Sequence, residues 1–287
     1  MDLRADAIEY DKRIDRVSLI SSVLSYFKSR YIGEKRDALQ LDLSCVEMRL
    51  SDSESKLFSY QKGHFYALVD ILLRNGIALD ASDTGTGKTF VALAIARLLD
   101  LHPFVICPLS VIYSWKRAAE YFSLDITVSN YESAKQGKVK VFSSNSMNRT
   151  NSVRDGRIRI LDGVPTLIPG SYTLMIFDEM HRCKNKKTAN YKMLDSTIKH
   201  RAAESKILLL SATAIDRPKN FRGLGYFLNM YGNSDYDYYA WAIRHKTIPI
   251  LSFATIFYNI QLRNEPLFQR LSSLVVDINK DFCSTRL

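Results

Sequence analysis

The segment 82–89 of the sequence has residue types and a spacing suited to binding phosphate. It reads Ser-Asp-Thr-Gly-Thr-Gly-Lys-Thr and lies between a short apolar run and a longer apolar segment. Glycine permits unusual backbone dihedrals and a close approach, so backbone N–H groups can surround phosphate oxygens. The lysine can reach the β- and γ-phosphates, and the last threonine can offer its hydroxyl to Mg²⁺. A glycine turn before an ordinary helix is the alternative. The pattern predicts a site for ATP and Mg²⁺ with these binding residues: Thr84, Gly85, Thr86, Gly87, Lys88 and Thr89.

A second chemical pattern, Asp-Glu-Met-His at 178–181, directly follows an apolar run. A carboxylate at the end of a buried strand can hold Mg²⁺, directly or through its water, and we assign this role to Asp178, with Thr89 as the second metal ligand. Glu179 can then orient and deprotonate the attacking water, while His181 can link the γ-phosphate to a neighbouring loop. Alone, the pattern is explained equally well by an exposed strand end. Beside a phosphate loop it predicts an ATP hydrolase with Lys88, Asp178, Glu179 and His181 as catalytic residues.

The elements that must position these residues are short apolar strands alternating with helices. Because the strands are apolar throughout, the pattern predicts a parallel sheet covered on both faces, with ligands at the carboxyl ends of the strands. The fold class is therefore α/β, with a three-layer parallel sheet. The predicted strands are 77–79, 104–107, 173–177 and 206–210, and the predicted helices are 66–73, 88–101 and 111–122.

The remaining segments carry no chemistry that we can identify. Apolar residues in 17–27 recur at helical spacing, which predicts a helical N-terminal extension over 1–50. Residues 135–171 break the strand and helix rhythm and are predicted as a surface loop with one hairpin. A nucleotide-binding domain is expected over 51–230, and an aromatic-rich, partly helical, mixed C-terminal tail over 231–287.

The amino-acid composition limits the kinds of partner and the cellular location expected for this chain. The 40 Lys and Arg residues exceed the 30 Asp and Glu residues, giving a formal charge of +10. This balance favours nucleic acid, although a solvated basic surface also explains it. The four cysteines form no Cys-x-x-Cys pair, so we expect reduced thiols and an intracellular location, in the cytoplasm or nucleus. With no run of 18 apolar residues, no membrane partner is expected.

Taken together, the motifs resemble the first RecA-like lobe of the superfamily 2 helicases, of DExH-box type, and most closely the SWI/SNF-like translocases. The resemblance is carried by the phosphate loop, by the run Asp-Glu-Met-His-Arg-Cys-Lys-Asn at 178–185, by Ser-Ala-Thr at 211–213 and by 57–63. Ser82 stands where the general phosphate loop has glycine, a position that this superfamily varies. The resemblance implies a RecA-like P-loop NTPase fold. It also implies ATP hydrolysis to ADP and phosphate, coupled to helicase or translocase activity.

Further site residues follow from the resemblance alone. Gln61 reads the adenine, with an ordinary helix-surface residue as the alternative. The residues that the resemblance implies in coupling hydrolysis to lobe movement are Ser211, Ala212 and Thr213. Ala214 stands where remodellers usually have proline, so the subfamily stays open. Contact with the nucleic-acid backbone falls to Pro108, Ser110, Tyr131 and Glu132, although Ser110 could instead cap the next helix.

The resemblance also implies partners. DNA or RNA is one, and the sequence does not decide between them. The other is a second RecA-like lobe, because the residues after 230 are too few to form it and show no second-lobe motif. That lobe is expected on another chain or in a missing C-terminal part. A viral or mobile-element origin is compatible with these features. The alternative function is a catalytically weak module that binds ATP and nucleic acid and regulates or completes a partner motor.

Overall fold

The structure is a computed structural model that describes residues 14–33, 43–142, 151–154, 158–168, 170–213, 218–232 and 234–244. The chain divides into two compact units, Asp2–Ala214 and Ile215–Leu287. All residues assigned above to ATP binding, hydrolysis, coupling or nucleic-acid contact lie in the first unit. The domain boundaries expected at 50 and 230 stay predictions.

The first unit is built on a seven-stranded sheet with the order β1-β9-β8-β2-β3-β4-β5. The five strands β1, β9, β8, β2 and β3 are parallel, and β4 and β5 continue the sheet in antiparallel pairing. The fold is therefore α/β with a mostly parallel sheet. The strands are β1 (Ile77–Asp80), β2 (His102–Cys107), β3 (Ile126–Asn130), β4 (Lys138–Phe142), β5 (Asn151–Arg154), β6 (Ile158–Leu161), β7 (Val164–Leu167), β8 (Thr173–Asp178) and β9 (Lys206–Leu210).

Helices precede the sheet in the chain and connect its strands. A short 3-10 turn, Leu109–Val111, follows β2, and another, Met180–Cys183, follows β8. The α-helices are α1 (Arg16–Gly33), α2 (Leu43–Ser55), α3 (Ser59–Asn75), α4 (Lys88–Leu98), α5 (Ile112–Tyr121), α6 (Tyr131–Lys135), α7 (Ala189–His200), α8 (Pro218–Phe227) and α9 (Asp235–Arg244).

The central strands are buried on both faces, as their continuous apolar sequences require. Consecutive residues of a strand point to opposite faces of the sheet. Both members of two such pairs, Phe104 and Val105 of β2 and Ile176 and Phe177 of β8, are fully buried. The main core joins one face of the sheet to helices α1 through α5. Each fully buried Leu, Val or Phe side chain contributes about 1.5–3 kcal/mol relative to exposure. Because α1 and α2 contribute to this same core, the N-terminal helices are part of the body that positions the site.

The prediction for 135–171 was wrong in part. It correctly includes one hairpin, formed by β6 and β7, but β4 and β5 extend the main sheet. The signal was available in β4, whose residues 138–141 read Lys-Val-Lys-Val and so alternate charged with apolar side chains. Such partial alternation is typical of a strand near a sheet edge. Strand β3 and helix α7 were also not predicted, and the sheet is mostly rather than wholly parallel.

The second unit contains α8, α9 and a cluster of aromatic rings. Tyr231 contacts Tyr238 at 5.6 Å and Trp241 at 5.3 Å between ring centroids. Helix α9 lies within the segment expected to be a mixed tail, and residues 245–287 of that segment lie outside the described residues.

Candidate ATP-binding site

The phosphate loop connects the end of β1 to the first residue of α4. Gly85 and Gly87 have φ of +83° and +87°, in the left-handed region where residues with a Cβ are strained. The Gly87 carbonyl accepts hydrogen bonds from Phe90 and Val91, so the loop enters the helix directly. The two glycines thus set the local path of the loop, as their positions in the sequence predict.

Lys88 lies along the inside of the loop. Its Nζ donates to the backbone carbonyls of Ser82 and Asp83, each at 2.9 Å. The Thr86 hydroxyl donates to the same Asp83 carbonyl at 2.8 Å. Thr84 and Gly85 are exposed at the tip, while Thr86 and Thr89 are half-exposed. The loop therefore presents its lysine, its hydroxyls and the N-terminus of α4 at one place, an arrangement suited to an anionic ligand.

Gln61 lies in the first turn of α3, against the phosphate loop. Its Oε1 accepts from the Phe58 N–H at 2.9 Å, and its Nε2 donates to the Thr86 carbonyl at 2.8 Å. The side chain is buried, whereas the neighbouring rings of Phe58 and Tyr60 are exposed and stack at 5.7 Å. The adenine role of Gln61 stays a prediction, and base contact would require its amide to exchange partners.

Asp178 ends β8, and three elements hold it there. Its Oδ2 accepts from the indole N–H of Trp115 at 2.9 Å, and its Oδ1 accepts from the Glu179 backbone N–H at 3.0 Å. The buried Tyr131 hydroxyl donates to the Asp178 carbonyl at 2.7 Å. Sequence reasoning did not predict these contacts, because Trp115 and Asp178 are 63 residues apart.

Burial raises the pKa of Asp178, and the charge of Glu179 raises it further, while the bonds from Trp115 and from the Glu179 N–H, together with the charge of Lys88, lower it. The net pKa is above the ordinary value. Lys88 is thus close enough to act on Asp178 electrostatically. A half-buried carboxylate of this kind suits a hard cation, which prefers oxygen ligands and stabilises the anionic form.

A Mg²⁺ site fits the residues present. Among the described residues there is no group of three or more His, Cys, Asp or Glu side chains that could enclose a metal. Mg²⁺ bound with nucleotide needs no such group, because it takes one or two protein ligands, phosphate oxygens and waters. The half-exposed Thr89 hydroxyl and the Asp178 carboxylate are the predicted protein ligands.

Glu179 adopts a left-handed conformation, with φ of +53° and ψ of +50°. For a residue with a Cβ this conformation costs about 1–2 kcal/mol. Its Oε2 lies 3.1 Å from Nδ1 of His181, which in turn lies 3.2 Å from the Ser211 hydroxyl. The structure therefore brings the predicted base, His181 and the first residue of the Ser-Ala-Thr segment together. Ala212 is half-buried and Thr213 is exposed.

The four predicted nucleic-acid contacts lie after β2 and β3, at the same sheet edge as Asp178. Pro108 and Ser110 flank an exposed leucine in the 3-10 turn, and Ser110 does not cap α5. Glu132 is exposed and pairs with Lys135 at 2.8 Å. Tyr131 differs, because its ring is buried and its hydroxyl is bonded to Asp178. Contact of these residues with nucleic acid stays a prediction.

Comparison with known proteins places the chain in a family. A family model described as "Type III restriction enzyme, res subunit" matches residues 54–216, more than half of the chain. The chain belongs to the superfamily 2 helicases and SNF2-like ATPases, and the match covers the region of the first lobe. The predicted resemblance is confirmed, as is the α/β class with a mostly parallel sheet and N-terminal helices.

Individual relatives agree with this assignment. A protein assigned as an ATP-dependent RNA helicase in Acanthamoeba polyphaga mimivirus is 32% identical over 187 residues, covering 62% of this chain and 34% of the relative. A SWI/SNF-related regulator of chromatin, subfamily A-like protein 1, from Xenopus tropicalis is 29% identical over 189 residues, covering 62% of this chain and 18% of the relative. The chain thus spans about a third or less of the length of these relatives.

Solved structures also resemble this chain, and one of them illustrates the similarity. The SWI2/SNF2 ATPase core of Sulfolobus solfataricus in complex with double-stranded DNA aligns with a TM-score of 0.46 and 21% sequence identity. The alignment covers 77% of this chain and 44% of the other. Within the described part of this chain, no helix is both long and apolar enough to cross a membrane.

Proposed function

We propose that this chain binds Mg²⁺-ATP and hydrolyses it to ADP and phosphate, as the ATP-binding lobe of a nucleic-acid-dependent helicase or translocase. One observation carries the proposal. The phosphate loop leaves the end of β1, the Asp178–Glu179 pair leaves the end of β8, and both strands flank β9 at the same level. Lys88 and Asp178 are therefore brought together from distant parts of the sequence, as a phosphate and metal site requires.

Each residue has a defined task in this reaction. The loop N–H groups and Lys88 bind the phosphate oxygens, while Thr89 and Asp178 would hold Mg²⁺, which would supply positive charge beside the phosphates. Glu179 orients a water molecule and accepts its proton as the water oxygen bonds to the γ-phosphorus. The bond between the γ-phosphorus and the bridging oxygen breaks, and ADP takes the electron pair. His181, placed between Glu179 and Ser211, passes the change at the γ-phosphate to the Ser-Ala-Thr segment.

The nucleic-acid part of the proposal is supported by position and charge. Pro108, Ser110 and Glu132 lie on the exposed edge after β2 and β3, next to the catalytic pair, and the chain has a formal charge of +10. A basic protein attracts the phosphate backbone of DNA or RNA through a salt-dependent term. Weak, strongly salt-dependent binding of DNA or RNA is therefore expected. The same proposal gives an intracellular location in the cytoplasm or nucleus.

A second RecA-like lobe completes the proposed motor. In related NTPases an arginine finger from a partner stabilises charge in the transition state and raises turnover by about 10³-fold or more. The 287-residue chain alone is therefore expected to bind ATP, hydrolyse it slowly and leave a duplex intact in a strand-displacement assay. ATP-dependent unwinding by the chain alone would contradict the need for that lobe.

The proposal is tested by calorimetry with Mg²⁺-ATP and by ATPase assays with and without single- and double-stranded DNA and RNA. Lys88→Ala should remove most of the binding, because it deletes the ammonium facing the phosphates. Glu179→Gln should keep the binding and abolish turnover, because it removes the proton acceptor while retaining the side chain's shape. Equal ATP affinity of Lys88→Ala and the parent protein would refute the site. Binding of ATP without any turnover, with or without nucleic acid, would favour the alternative, a regulatory module.

A further inference from the structure

A buried carboxylate lies directly beneath the phosphate loop and has no task in the chemistry proposed above. Asp80 is the last residue of β1, and its side chain is 1% exposed. Its neighbour across the sheet is Leu210, in a strand that is apolar after its first residue. Burial of a carboxylate in such surroundings is costly unless hydrogen bonds and opposite charge compensate for it. The position therefore requires partners, and the structure supplies them at one carboxylate oxygen, Oδ1, whereas Oδ2 is buried without a hydrogen bond from the described residues.

The partners of Asp80 come from the loop and from helix α3. Its Oδ1 accepts from the Ser82 backbone N–H at 3.0 Å and from the Ser82 hydroxyl at 2.6 Å. The His64 Nε2 lies 3.0 Å from the same oxygen, so a protonated His64 forms an ion pair with it. Burial by itself raises the pKa of Asp80, but the contacts with His64 and Ser82 outweigh burial and hold the pKa below the ordinary value. Asp80 is thus an anion at neutral pH.

The contacts continue from Ser82 into the rest of the loop. The Ser82 hydroxyl lies 2.9 Å from the Thr86 hydroxyl, and the Ser82 carbonyl accepts from the Lys88 ammonium at 2.9 Å. Ser82 stands where the general phosphate-loop pattern has glycine. Unlike glycine, serine has a hydroxyl that can hydrogen-bond to the strand beneath the loop, and here it donates to Asp80. One buried carboxylate thereby holds Ser82 at the start of the loop, and the carbonyl of Ser82 in turn binds the lysine.

We propose that Asp80, oriented by His64, is a positioning residue for nucleotide binding that acts through Ser82. This inference rests on the proposed function, because it concerns how the same loop receives phosphate. A loop already held in its binding geometry loses less conformational freedom when the ligand arrives, so its affinity is higher. Asp80 touches neither substrate nor metal in this proposal. Its effect therefore falls on affinity and KM, while kcat stays close to that of the parent protein.

A purely structural role for Asp80 predicts a different result. A carboxylate that only stabilises the fold affects the unfolding temperature but leaves the ATP affinity of the folded protein unchanged. The part-buried Glu54 provides a matched control, since it pairs with Arg16 at 3.2 Å and accepts from Tyr66. Glu54→Gln makes the same chemical change as Asp80→Asn, at a carboxylate whose partners lie in helices α1 and α3 rather than in the phosphate loop.

The experiment measures the Kd of Mg²⁺-ATP by calorimetry, KM and kcat, and the unfolding temperature, for Asp80→Asn, His64→Gln, Ser82→Ala and Glu54→Gln. Asp80→Asn should raise Kd and KM by about 10-fold, the effect of losing a hydrogen bond to a charged group. His64→Gln and Ser82→Ala should each raise them by about 3-fold or more, since each removes part of the same network. Glu54→Gln should change the unfolding temperature and leave Kd unchanged.

The outcomes separate the two proposals. If the parent protein does not bind Mg²⁺-ATP, the proposed function fails. If the parent binds and the folded Asp80→Asn protein binds equally well, the positioning role is overturned. Should Asp80→Asn not fold, His64→Gln and Ser82→Ala decide, because both replace side chains that are only partly buried. Parent-like affinity in both of these variants overturns the inference.

Discussion

Two parallel strands of the sheet, β1 and β8, each end in an aspartate, and the pKa values of the two carboxyls are shifted in opposite directions. Both residues pair with Leu210 of β9, one from each side. The pKa of Asp80 is lowered, because its contacts with His64 and Ser82 outweigh burial. The pKa of Asp178 is raised, because burial and Glu179 outweigh its contacts with Trp115 and Lys88. The same place in a sheet therefore does not determine the protonation of a carboxyl.

The two carboxyls also contribute to stability in opposite pH ranges. A lowered pKa stabilises the folded protein above the unfolded pKa, and this contribution is lost as pH falls through the folded value. A raised pKa stabilises it below the unfolded pKa, and this contribution is lost as pH rises through the folded value. At neutral pH the anionic form of Asp80 therefore stabilises the fold, whereas burial and Glu179 destabilise the anionic form of Asp178. Under the proposed function, a cation bound at Asp178 would stabilise the anionic form of its carboxyl.

The largest expected contrast comes from exchanging each carboxylate for an amide. Asp178→Asn should lower kcat by at least about 10²-fold, because the proposed Mg²⁺ would lose its anionic protein ligand where charge develops in the transition state. Asp80→Asn should act on KM instead. Steady-state ATPase assays at saturating Mg²⁺ make the comparison, with Asp195→Asn as a control at another partly buried aspartate, where the substitution removes an ion pair with Lys199. If Asp178→Asn and Asp80→Asn lowered kcat equally, the assignment of catalysis to Asp178 and of positioning to Asp80 would be wrong.

Sequence reasoning found only one of these aspartates. Asp178 belongs to a short pattern next to a glutamate and a histidine, and the phosphate loop is likewise encoded in consecutive residues. Asp80 was not identified, because its partner His64 lies in helix α3, belongs to no sequence pattern and contacts Asp80 only in the folded chain. Strands β2, β8 and β9 were predictable from their apolar runs. Strands β4 and β5 were not, because their place in the sheet depends on pairing across an irregular segment.

A smaller effect is expected from a substitution of Trp115. Its indole N–H donates to the carboxylate of Asp178 at the end of β8, whereas Asp80 at the end of β1 is held by His64 and Ser82. Trp115→Phe keeps an aromatic ring in the core but leaves Asp178 Oδ2 without its donor. A hydrogen bond to a charged group is worth about 1.5–3 kcal/mol, so we expect kcat to fall by about 10-fold. Kinetics should be compared with the unfolding temperature. Parent-like kcat in a folded variant would show that the indole is only a packing group.

The raised pKa of Asp178 predicts a pH-dependent affinity for Mg²⁺. Its proton stays bound at pH values where an ordinary carboxyl is ionised, and the metal requires the anion. The affinity for Mg²⁺ should therefore weaken as pH falls through the raised pKa. Trp115 reports this step directly, since its indole bonds to the carboxylate. In a Trp241→Phe background, where Trp115 is the single tryptophan, its fluorescence should titrate with pH, and Asp178→Asn should abolish that transition.

The smallest expected effect concerns the backbone carbonyls at the two strand ends. The Asp80 carbonyl accepts from the Ser211 N–H, a main-chain donor, at 3.1 Å. The Asp178 carbonyl instead accepts from a side chain, the Tyr131 hydroxyl, at 2.7 Å. Burial raises the pKa of Tyr131 well above its ordinary value, so this hydroxyl remains a donor throughout the working pH range. Only the contact at β8 can therefore be removed by a side-chain substitution.

Tyr131→Phe deletes that hydroxyl while retaining the buried ring. The loss of one hydrogen bond to a buried carbonyl should lower the free energy of unfolding by about 1–2 kcal/mol. The carboxylate of Asp178 keeps its bonds to Trp115 and to the Glu179 N–H, so kcat and KM should change by less than about 3-fold, a shift under 1 kcal/mol. Urea unfolding monitored by circular dichroism gives the first quantity, and ATPase assays give the second. A large loss of kcat with unchanged stability would mean that Tyr131 controls the catalytic pair rather than the end of β8.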